Sequence, residues 1–319
     1  MEFHLGDLLE CVADAVPDRE ALACGDRRLS YRRLDERATQ LAHALADAGV
    51  AQGDHVGLYL YNGAEFIESL IAVFKIRAVP INVNYRYVDS ELRYLFDNAD
   101  AVAVIHQREF APRLATIVSD LPKLRICVCV EDSSGADLSR LRPLDYEQVL
   151  AEGSPERNFG PRSSGDLYIA YTGGTTGLPK GVMWRHEDLL FGALMGGNPW
   201  GEPLSRPEEI AATAASAAPF CALPAAPLMH VAAQWTALIY LLGGAKVVLS
   251  PGPGFDPDRI WRLVEQEKVQ ALSIVGDAMA RPLADALARP GGDYDTSSLM
   301  VIGSGGATFS PAVKAQLAE

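Results

Sequence analysis

Short apolar runs alternate with amphipathic segments along most of this 319-residue chain. Between residues 54 and 130, strand-like runs such as His55–Leu60 and Ala101–His106 alternate with helix-like segments such as Ala64–Ile76. The same rhythm returns between residues 231 and 302. Strands that alternate with helices form βαβ units, whose successive strands lie parallel. The pattern therefore predicts an α/β fold built on a mostly parallel sheet.

Two helix boundaries and one irregular segment follow from local signals. Ser30 is a candidate N-cap of a helix that ends at Gly49. A second helix is predicted over Phe110–Leu121. Residues 196–227 are rich in glycine, proline and alanine, which predicts an insertion or a long surface connection.

A glycine- and threonine-rich stretch follows the strand-like run Leu167–Ala170. Residues 171–181 have the sequence Tyr-Thr-Gly-Gly-Thr-Thr-Gly-Leu-Pro-Lys-Gly. Glycines let backbone N–H groups surround an anion, threonine hydroxyls add donors, and lysine adds positive charge. It is not a Walker A loop, because Lys180 lies between Pro179 and Gly181. We predict a polyphosphate loop whose candidate ligands are Thr172, Gly173, Gly174, Thr175, Thr176, Gly177 and Lys180.

This stretch resembles the phosphate-loop signature of the adenylate-forming superfamily, which includes acyl-CoA synthetases, luciferases and peptide-synthetase adenylation domains. The family signature is Tyr-Thr-Ser-Gly-Thr-Thr-Gly-x-Pro-Lys-Gly, and only Gly173 differs, standing where the family usually has serine. With Gly173, the continuation at residues 182–186 is most similar to acyl-CoA synthetases that act on long-chain or steroid-derived acids. The resemblance implies two doubly wound, mostly parallel sheets with helices on both faces.

The resemblance also implies an activity and its cofactors. ATP and a carboxylic acid would form an acyl-adenylate, and the acyl group would then pass to coenzyme A. Lys180 and the loop N–H groups would hold the leaving pyrophosphate together with Mg²⁺, which makes Lys180 a candidate catalytic residue. Thr176 is the candidate metal residue.

The sequence Pro-Leu-Met-His at residues 227–230 resembles a second motif of the family. In the family, a histidine or aromatic residue at its end lies beside the carboxylate and helps to gate the acyl channel. This makes His230 a candidate catalytic and substrate-binding residue, with Val231 and Trp235 as further substrate contacts. For a lone histidine, a core or helix-capping role is the alternative.

A third resemblance is Gly-Ser-Gly-Gly-Ala at residues 303–307, after the predicted strand Leu299–Ile302. The family's Ser-Gly-Gly-Ala turn passes the adenine ring and closes the acyl pocket, where a side chain would occupy the ligand's space. Gly305, Gly306 and Ala307 are therefore candidate nucleotide-binding residues, and Gly305 is also a candidate substrate-binding residue. Alone, a glycine-rich strand end is usually only a turn, but its order after the other two motifs supports a function.

The expected acid is uncharged apart from its carboxylate. Peptide-synthetase domains usually neutralise their substrate's ammonium group with an aspartate just after the His230-like motif. No aspartate or glutamate occurs here between residues 210 and 253. An uncharged pocket suits an aliphatic, aromatic or steroid acid. Gly276 is a further candidate substrate-binding residue, whereas Asp277 either lines the pocket or caps the helix predicted from residue 279.

Composition excludes some classes of function. The formal net charge is −13 and no basic run offsets it, so no nucleic-acid partner is expected. Five scattered cysteines without Cys-x-x-Cys spacing are typical of reduced thiols in a cytoplasmic protein. Prolines break the uncharged stretch at residues 210–245, and its most apolar part, residues 231–242, is too short to cross a bilayer. No transmembrane segment is therefore expected.

The resemblance divides the chain into two lobes. Residues 54–190 would form the first α/β lobe with the phosphate loop, and residues 1–53 would join residues 206–319 in the second. The small β-barrel of the family's N-terminal domain would be largely missing. Its absence would expose apolar surface, which predicts a possible homodimer.

Two other functions remain open. An acyl-AMP ligase would pass the acyl group to a carrier protein instead of coenzyme A, and a non-catalytic module would only bind a nucleotide. Glutamate and lysine motifs downstream would favour an enzyme, whereas their absence from the full gene would favour the module.

The 319-residue chain alone is predicted to have little or no turnover. The family's later segments bring a magnesium-binding glutamate, a ribose-binding aspartate and a C-terminal domain with the catalytic lysine, none of which is found up to Glu319. Residues 1–319 thus resemble a truncated N-terminal AMP-binding domain. An assay of acyl-CoA formation from ATP, a fatty acid and coenzyme A tests this expectation, and measurable product from this chain alone would contradict it.

Overall fold

The computed structural model describes residues 1–173 and 177–318. Its strands are β1 (Glu20–Cys24), β2 (Arg27–Ser30), β3 (His55–Tyr59), β4 (Val79–Asn82), β5 (Ala101–Gln107), β6 (Ile126–Val130), β7 (Leu144–Asp145), β8 (Leu167–Thr172), β9 (Lys180–Arg185), β10 (Cys221–Pro224), β11 (Lys246–Leu249), β12 (Ala271–Ile274) and β13 (Val301–Ser304). Its α-helices are α1 (Leu5–Ala15), α2 (Tyr31–Asp47), α3 (Ala64–Lys75), α4 (Asp89–Asn98), α5 (Ala111–Ile117), α6 (Tyr146–Glu152), α7 (His186–Ala193), α8 (Glu209–Ser216), α9 (Val231–Leu242), α10 (Pro257–Glu267), α11 (Gly276–Ala288) and α12 (Pro311–Ala318).

These strands form two sheets in the described part of the chain. The order is β7-β6-β5-β3-β4-β8-β9 in the first sheet and β13-β12-β10-β11-β1-β2 in the second. Neighbouring strands run parallel, except in the β1–β2 and β8–β9 pairs, which are antiparallel. The predicted fold class of two mostly parallel sheets with helices is confirmed.

One continuous apolar core joins the two sheets. Strand β5 is buried from Ala101 to His106, as expected of a parallel strand that helices cover on both faces. Helix α3 is also almost entirely buried, because it packs against α2 and lies between the sheets. The same core contains Leu58 and Phe66 from the first sheet's region and Leu238 and Leu272 from the second.

Buried charges tie the helices between the sheets together. The Lys75 ammonium group at the end of α3 is fully buried and lies 2.5 Å from Glu10 of α1 and 2.7 Å from Asp35 of α2. Two arginines of the segment before β8 complete the group, since Arg157 binds Asp35 and Arg162 binds Glu10. Removing one partner from such a group strands a buried charge, which typically costs about 3–5 kcal/mol.

The predicted helix boundaries are partly confirmed. The Ser30 hydroxyl accepts a hydrogen bond from the Arg33 N–H at 3.2 Å and caps α2, which ends just before Gly49 with its φ of 98°. The helix predicted over Phe110–Leu121 is shorter. Only Ala111–Ile117 is α-helical, with 3-10 turns at residues 108–110 and 118–120.

The prediction of an irregular connection over residues 196–227 was wrong. The segment contains α8 and β10, and β10 lies inside the second sheet between β11 and β12 with all four residues buried. Its sequence, Cys-Ala-Leu-Pro, has no β-branched residue and gives little local strand signal. The segment forms a strand because it is hydrogen-bonded to β11 on one side and to β12 on the other, although its local strand propensity is low.

Within residues 1–173 and 177–318, no helix combines the length and the apolar composition that a bilayer span requires.

Two buried histidines join the N-terminus to the start of α7. The rings of His4 and His186 lie 4.3 Å apart, and each Nδ1 accepts a backbone N–H, from Gly6 and Leu5 respectively. Burial lowers the pKa of His186 to about 4, although the nearby Asp166 carboxylate acts in the opposite direction. Burial also lowers the pKa of His4, and the neighbouring His186 adds to this effect. Both rings are therefore neutral in the folded protein near pH 7.

The free energy of unfolding should fall as the pH drops from 6.5 to 4. In this window the unfolded chain binds a proton at His186 that the folded chain does not, so protonation favours unfolding; below pH 4 both states are protonated and this contribution is constant. The pKa difference corresponds to at most about 3 kcal/mol. Urea denaturation at several pH values should show this slope, and His186→Asn, which keeps an acceptor for the Leu5 N–H, should flatten it. His43→Asn, at a half-buried position of α2, is the control, and an equal slope in all three proteins would contradict the prediction.

Candidate functional site

A cavity of about 660 Å³ lies at the carboxyl ends of strands from both sheets. Asn82 ends β4, Thr172 ends β8, and Gly305 follows β13. Ligands of open α/β sheets bind outside the carboxyl ends of the strands. The wall consists of Asn82, Asn84, Arg86, Tyr87, Tyr171, Thr172, Gly173, Ala226, Pro227, Met229, His230, Val231, Ala232, Phe255, Val275, Ala278, Met279, Gly305 and Gly306.

This cavity brings together residues from all three sequence motifs. The predicted site residues on its wall are Thr172, Gly173, His230, Val231, Gly305 and Gly306. Among the described residues, the predicted positions that do not line it are Gly177, Lys180, Trp235, Gly276 and Ala307. Three predicted phosphate ligands, Gly174, Thr175 and Thr176, lie outside the described residues.

The predicted phosphate loop lies between two antiparallel strands, β8 and β9. The last residue of β8, Thr172, pairs with Lys180, the first residue of β9. Strand β9 was missed in the sequence, because its exposed residues show no alternation of apolar and polar side chains. The glycine after the lysine has a packing reason: a Cβ on Gly181 would lie 2.8 Å from Ile169 and 2.9 Å from Tyr171.

Amide side chains hold the turn at residues 227–230. The Leu228 N–H donates to Asn62 at 2.7 Å, and the Leu228 carbonyl accepts from Gln234 at 2.7 Å. Tyr168 of β8 donates its hydroxyl to Gln234 at 2.7 Å and fixes that amide in turn. The turn that presents His230 therefore has a defined position before any ligand binds.

His230 is the N-cap residue of α9, but its side chain makes no capping hydrogen bond. The side chain is exposed on the cavity wall. The surrounding protein removes part of the water around the ring, which lowers the pKa of His230, and the positive charge of Arg86 lowers this pKa further. The ring is therefore neutral near pH 7 and presents a hydrogen-bonding group without a charge.

Sequence reasoning missed Arg86, which carries the only fixed charge among the described residues of the wall. Its guanidinium lies 5.8 Å from the centre of the Tyr85 ring, and its backbone N–H donates to Asn84 at 2.9 Å. The available signal was Asn-Tyr-Arg-Tyr directly after a strand, at the sheet edge where ligands bind. This segment was not predicted as part of the site, because it has none of the glycines by which the phosphate loop and the turn at residues 303–307 were identified.

Gly276 lies behind the glycine-rich turn. Its φ is 55°, and a Cβ would come within 2.6 Å of the Thr308 carbonyl oxygen and 2.7 Å of the Ala307 Cβ. Its N–H donates to the Ser304 hydroxyl at 2.9 Å. By contrast, a Cβ on Gly305 would meet no described atom within 4 Å. Gly276 thus allows the turn to pack closely, and Gly305 leaves open space in the cavity.

Asp277 neither lines the cavity nor caps the helix. The helix begins at Gly276, three residues earlier than predicted, and the Asp277 carboxylate accepts the Ser310 N–H at 2.8 Å. Hydrogen bonds from Ser310 hold the pKa of Asp277 below its usual value. This carboxylate supports the chain beyond the glycine-rich turn.

Trp235 does not line the cavity. It is on α9, and its ring packs edge-on against Trp184 of β9 with 5.8 Å between centroids.

The described residues do not by themselves fit a magnesium site. Neither residues 1–173 nor 177–318 contain a group of three or more His, Cys, Asp or Glu side chains placed to hold a metal ion. The described wall of the cavity has no carboxylate. The candidate metal residue Thr176 lies outside the described residues.

Comparison with known proteins identifies the kind of chain to which this cavity belongs. The family model described as AMP-binding enzyme matches residues 9–319. A medium/long-chain-fatty-acid–CoA/3-oxocholest-4-en-26-oate–CoA ligase of Mycobacterium tuberculosis (strain ATCC 25618 / H37Rv) is 45% identical over 99% of this chain, which spans 57% of that relative. A 3-oxocholest-4-en-26-oate–CoA ligase of Rhodococcus rhodochrous is 45% identical over 98% of this chain and 57% of its own length. The chain thus spans less than three-fifths of these curated relatives.

A solved structure supports the same fold. The crystal structure of the anthranilate CoA ligase AuaEII with anthranoyl-AMP superposes with a TM-score of 0.84 at 23% identity. The match covers 98% of this chain and 57% of that one. Together with the family model, it confirms the resemblance inferred from the three motifs.

Arg86→Gln should raise the pKa of His230, because it removes the positive charge that disfavours the imidazolium. NMR titration of the His230 ring protons in the variant and the parent measures the change. Arg93→Gln is the matched control, since Arg93 pairs with Asp120 at 2.9 Å and does not line the cavity. An unchanged or lower pKa of His230 in Arg86→Gln would show that the two groups do not interact.

Proposed function

The chain belongs to the AMP-binding enzyme family, and on that premise we propose that it provides the nucleotide and acid sites of an acyl-CoA synthetase. The acid is fatty or steroid-derived, ATP activates it, and coenzyme A accepts the acyl group. A cytoplasmic location belongs to the same proposal, supported by five cysteines that are all free thiols.

The observation that carries this proposal is the composition of the cavity. The end of the phosphate-loop strand, His230 and the glycine-rich turn share one wall. The remaining wall is largely apolar, with Met229, Val231, Phe255, Val275 and Met279. Such a wall suits the hydrocarbon tail of an acid. It does not suit an acid that carries an ammonium group, because burying that charge without a partner would be costly. The volume of about 660 Å³ lies in the range of small-molecule sites.

Two displacement steps make up the reaction. A carboxylate oxygen attacks the α-phosphorus of ATP, the new O–P bond forms, and the bond to the β-phosphate breaks to release pyrophosphate. The thiolate of coenzyme A then attacks the acyl carbonyl carbon, and AMP leaves with the bonding electrons. Both steps depend mainly on positioning and on stabilising negative charge.

The residues of the site divide between the two halves of the acyl-adenylate. On the nucleotide side, Thr172 and Gly173 would face the phosphates, Lys180 the departing pyrophosphate, and the turn at residues 305–307 the adenine. On the acid side, the neutral ring of His230 would donate or accept a hydrogen bond at the carboxylate. Arg86 would attract the carboxylate into the cavity and help to orient it. No step is assigned to Mg²⁺.

The relatives' names support the choice of acid. The similar proteins of Mycobacterium tuberculosis and Rhodococcus rhodochrous are named for medium- to long-chain fatty acids and for 3-oxocholest-4-en-26-oate. Fatty and steroid acids share a large apolar body and a single carboxylate. An apolar wall with one cation is complementary to that distribution.

The possible homodimer remains a prediction. Exposed apolar side chains of β9 and α7, namely Val182, Met183 and Phe191, provide surface that a second copy would cover.

A non-hydrolysable acyl-AMP analogue with a long alkyl chain should bind this chain tightly, and Gly305→Val should abolish that binding. A Cβ at Gly305 would meet no described atom within 4 Å, so a valine side chain would extend into the open space of the cavity. Isothermal titration calorimetry measures the affinity. Gly303→Val is the matched control, because a Cβ there is equally unhindered and Gly303 does not line the cavity.

Lys180→Ala distinguishes binding of the departing pyrophosphate from binding of the phosphate that stays in the acyl-adenylate. This variant should bind ATP more weakly and the acyl-AMP analogue almost normally, because the analogue lacks the β- and γ-phosphates. Equal binding of the analogue by Gly305→Val and the parent would contradict the proposed function, as would failure of the parent to bind it.

A further inference from the structure

We propose that Asn82 is a positioning residue that fixes the phosphate-loop strand and the turn of His230 in one register. This inference rests on the proposed function, because it assumes that one ligand occupies both halves of the cavity. Asn82 is the last residue of β4 and is 7% exposed.

The Asn82 amide uses both its donor and its acceptor on backbone groups of other segments. Its oxygen accepts the Tyr171 N–H at 2.7 Å, and its nitrogen donates to the Tyr171 carbonyl at 2.9 Å. The same nitrogen donates to the Met229 carbonyl at 2.8 Å. One side chain therefore binds two segments that are 58 residues apart, from Tyr171 to Met229.

The position of Asn82 explains why an amide is required. Strands β4 and β8 pair at Ile81 and Ile169. Beyond this pair, the Asn82 side chain makes the hydrogen bonds to β8 that the backbone of a longer β4 would otherwise make. An amide bonds to both backbone groups of Tyr171, as a neighbouring strand would. Its second N–H then reaches the other sheet's segment. Asparagine supplies two donors and an acceptor on a short stem, which no hydroxyl or carboxylate can do.

The two segments belong to different sheets and carry different halves of the site. Tyr171 lies in β8 of the first sheet and is followed by Thr172, the start of the phosphate loop. Met229 follows β10 of the second sheet and precedes His230. A shift at Asn82 would therefore change the distance between the phosphate end and the carboxylate end of the cavity. A misplacement of about 1 Å can cost on the order of 100-fold in a reaction that depends on orientation.

A purely structural asparagine would behave differently. If Asn82 only stabilised the fold, its loss would weaken all ligands by a similar factor. If Asn82 instead fixes the distance between the two subsites, AMP alone and a fatty acid alone should each still bind to their own subsite in its absence. Only a ligand that spans both subsites needs the correct distance between them.

The ligand test compares three titrations of the 319-residue chain: AMP alone, a long-chain fatty acid alone, and the non-hydrolysable acyl-AMP analogue. In Asn82→Ala, the analogue should lose at least about tenfold more affinity than AMP or the fatty acid, which corresponds to about 1.4 kcal/mol. Asn198→Ala is the control, because its amide serves a surface loop at Trp200 and Glu202. Equal losses for the three ligands, or no loss for the analogue, would overturn the proposal.

Amide hydrogen exchange tests the same contact without a ligand. Asn82→Asp keeps the acceptor for the Tyr171 N–H but loses both donors, and its carboxylate faces two carbonyl oxygens. We expect protection of the Tyr171 amide to persist in Asn82→Asp and to be lost in Asn82→Ala, whereas the amides of residues 228–234 should exchange faster in both. Unchanged exchange over residues 228–234 in both variants would overturn the proposal.

The two measurements also separate this proposal from the proposed function. If the parent chain does not bind the analogue, the proposed function fails, and with it the role in ligand register. Altered exchange at both segments would then still show that Asn82 couples them. If the parent binds and Asn82→Ala binds equally well, the function stands and the inference about Asn82 falls.

Discussion

The site depends on hydrogen bonds that cross from one sheet to the other at their carboxyl edges. Asn82 bonds to Tyr171 and Met229, and Asn62 accepts the Leu228 N–H. Parallel sheets present their ligand-binding loops at one edge, but two such edges form one cavity only if their relative position is fixed. Amides suit this task because their hydrogen bonds are directional, and Asn82 is buried, so its bonds compete little with water. Tyr171 at the end of β8 and the turn at residues 227–230 thus keep a defined separation.

Charge is distributed differently at the centre of the molecule and in the cavity. Between the helices, Lys75 is fully buried against Glu10 and Asp35, so the charges there are paired. In the described wall of the cavity, Arg86 has no carboxylate beside it and His230 is kept neutral. Paired charges hold the N-terminal helices in place, whereas an unpaired cation at an apolar wall is available to an anionic ligand. The physical contrast supports the view that the cavity, and not the helix junction, binds the acid.

Much of the fold and part of the site could be predicted from the sequence. Alternating apolar runs predicted the parallel sheets, Ser30 predicted the start of α2, and three glycine- or histidine-containing motifs predicted the walls of one cavity. These features follow from periodicity, capping and the backbone freedom of glycine, which act within a few residues. The motifs also led to the family, because their order along the chain is itself informative.

Only the tertiary structure decided which residues support those motifs. Strand β10 has almost no local signal and forms because β11 and β12 bond to it from both sides. Asn82 and Arg86 are ordinary polar residues in the sequence, and Gly276 has the residue type of a ligand contact but packs behind the turn. Their roles depend on partners far away in the chain. The sequence by itself therefore determined the sheets and the candidate ligand-binding loops. The relative position of the two halves of the candidate site was decided only when the sheets packed together, because its hydrogen bonds join segments that no local pattern connects.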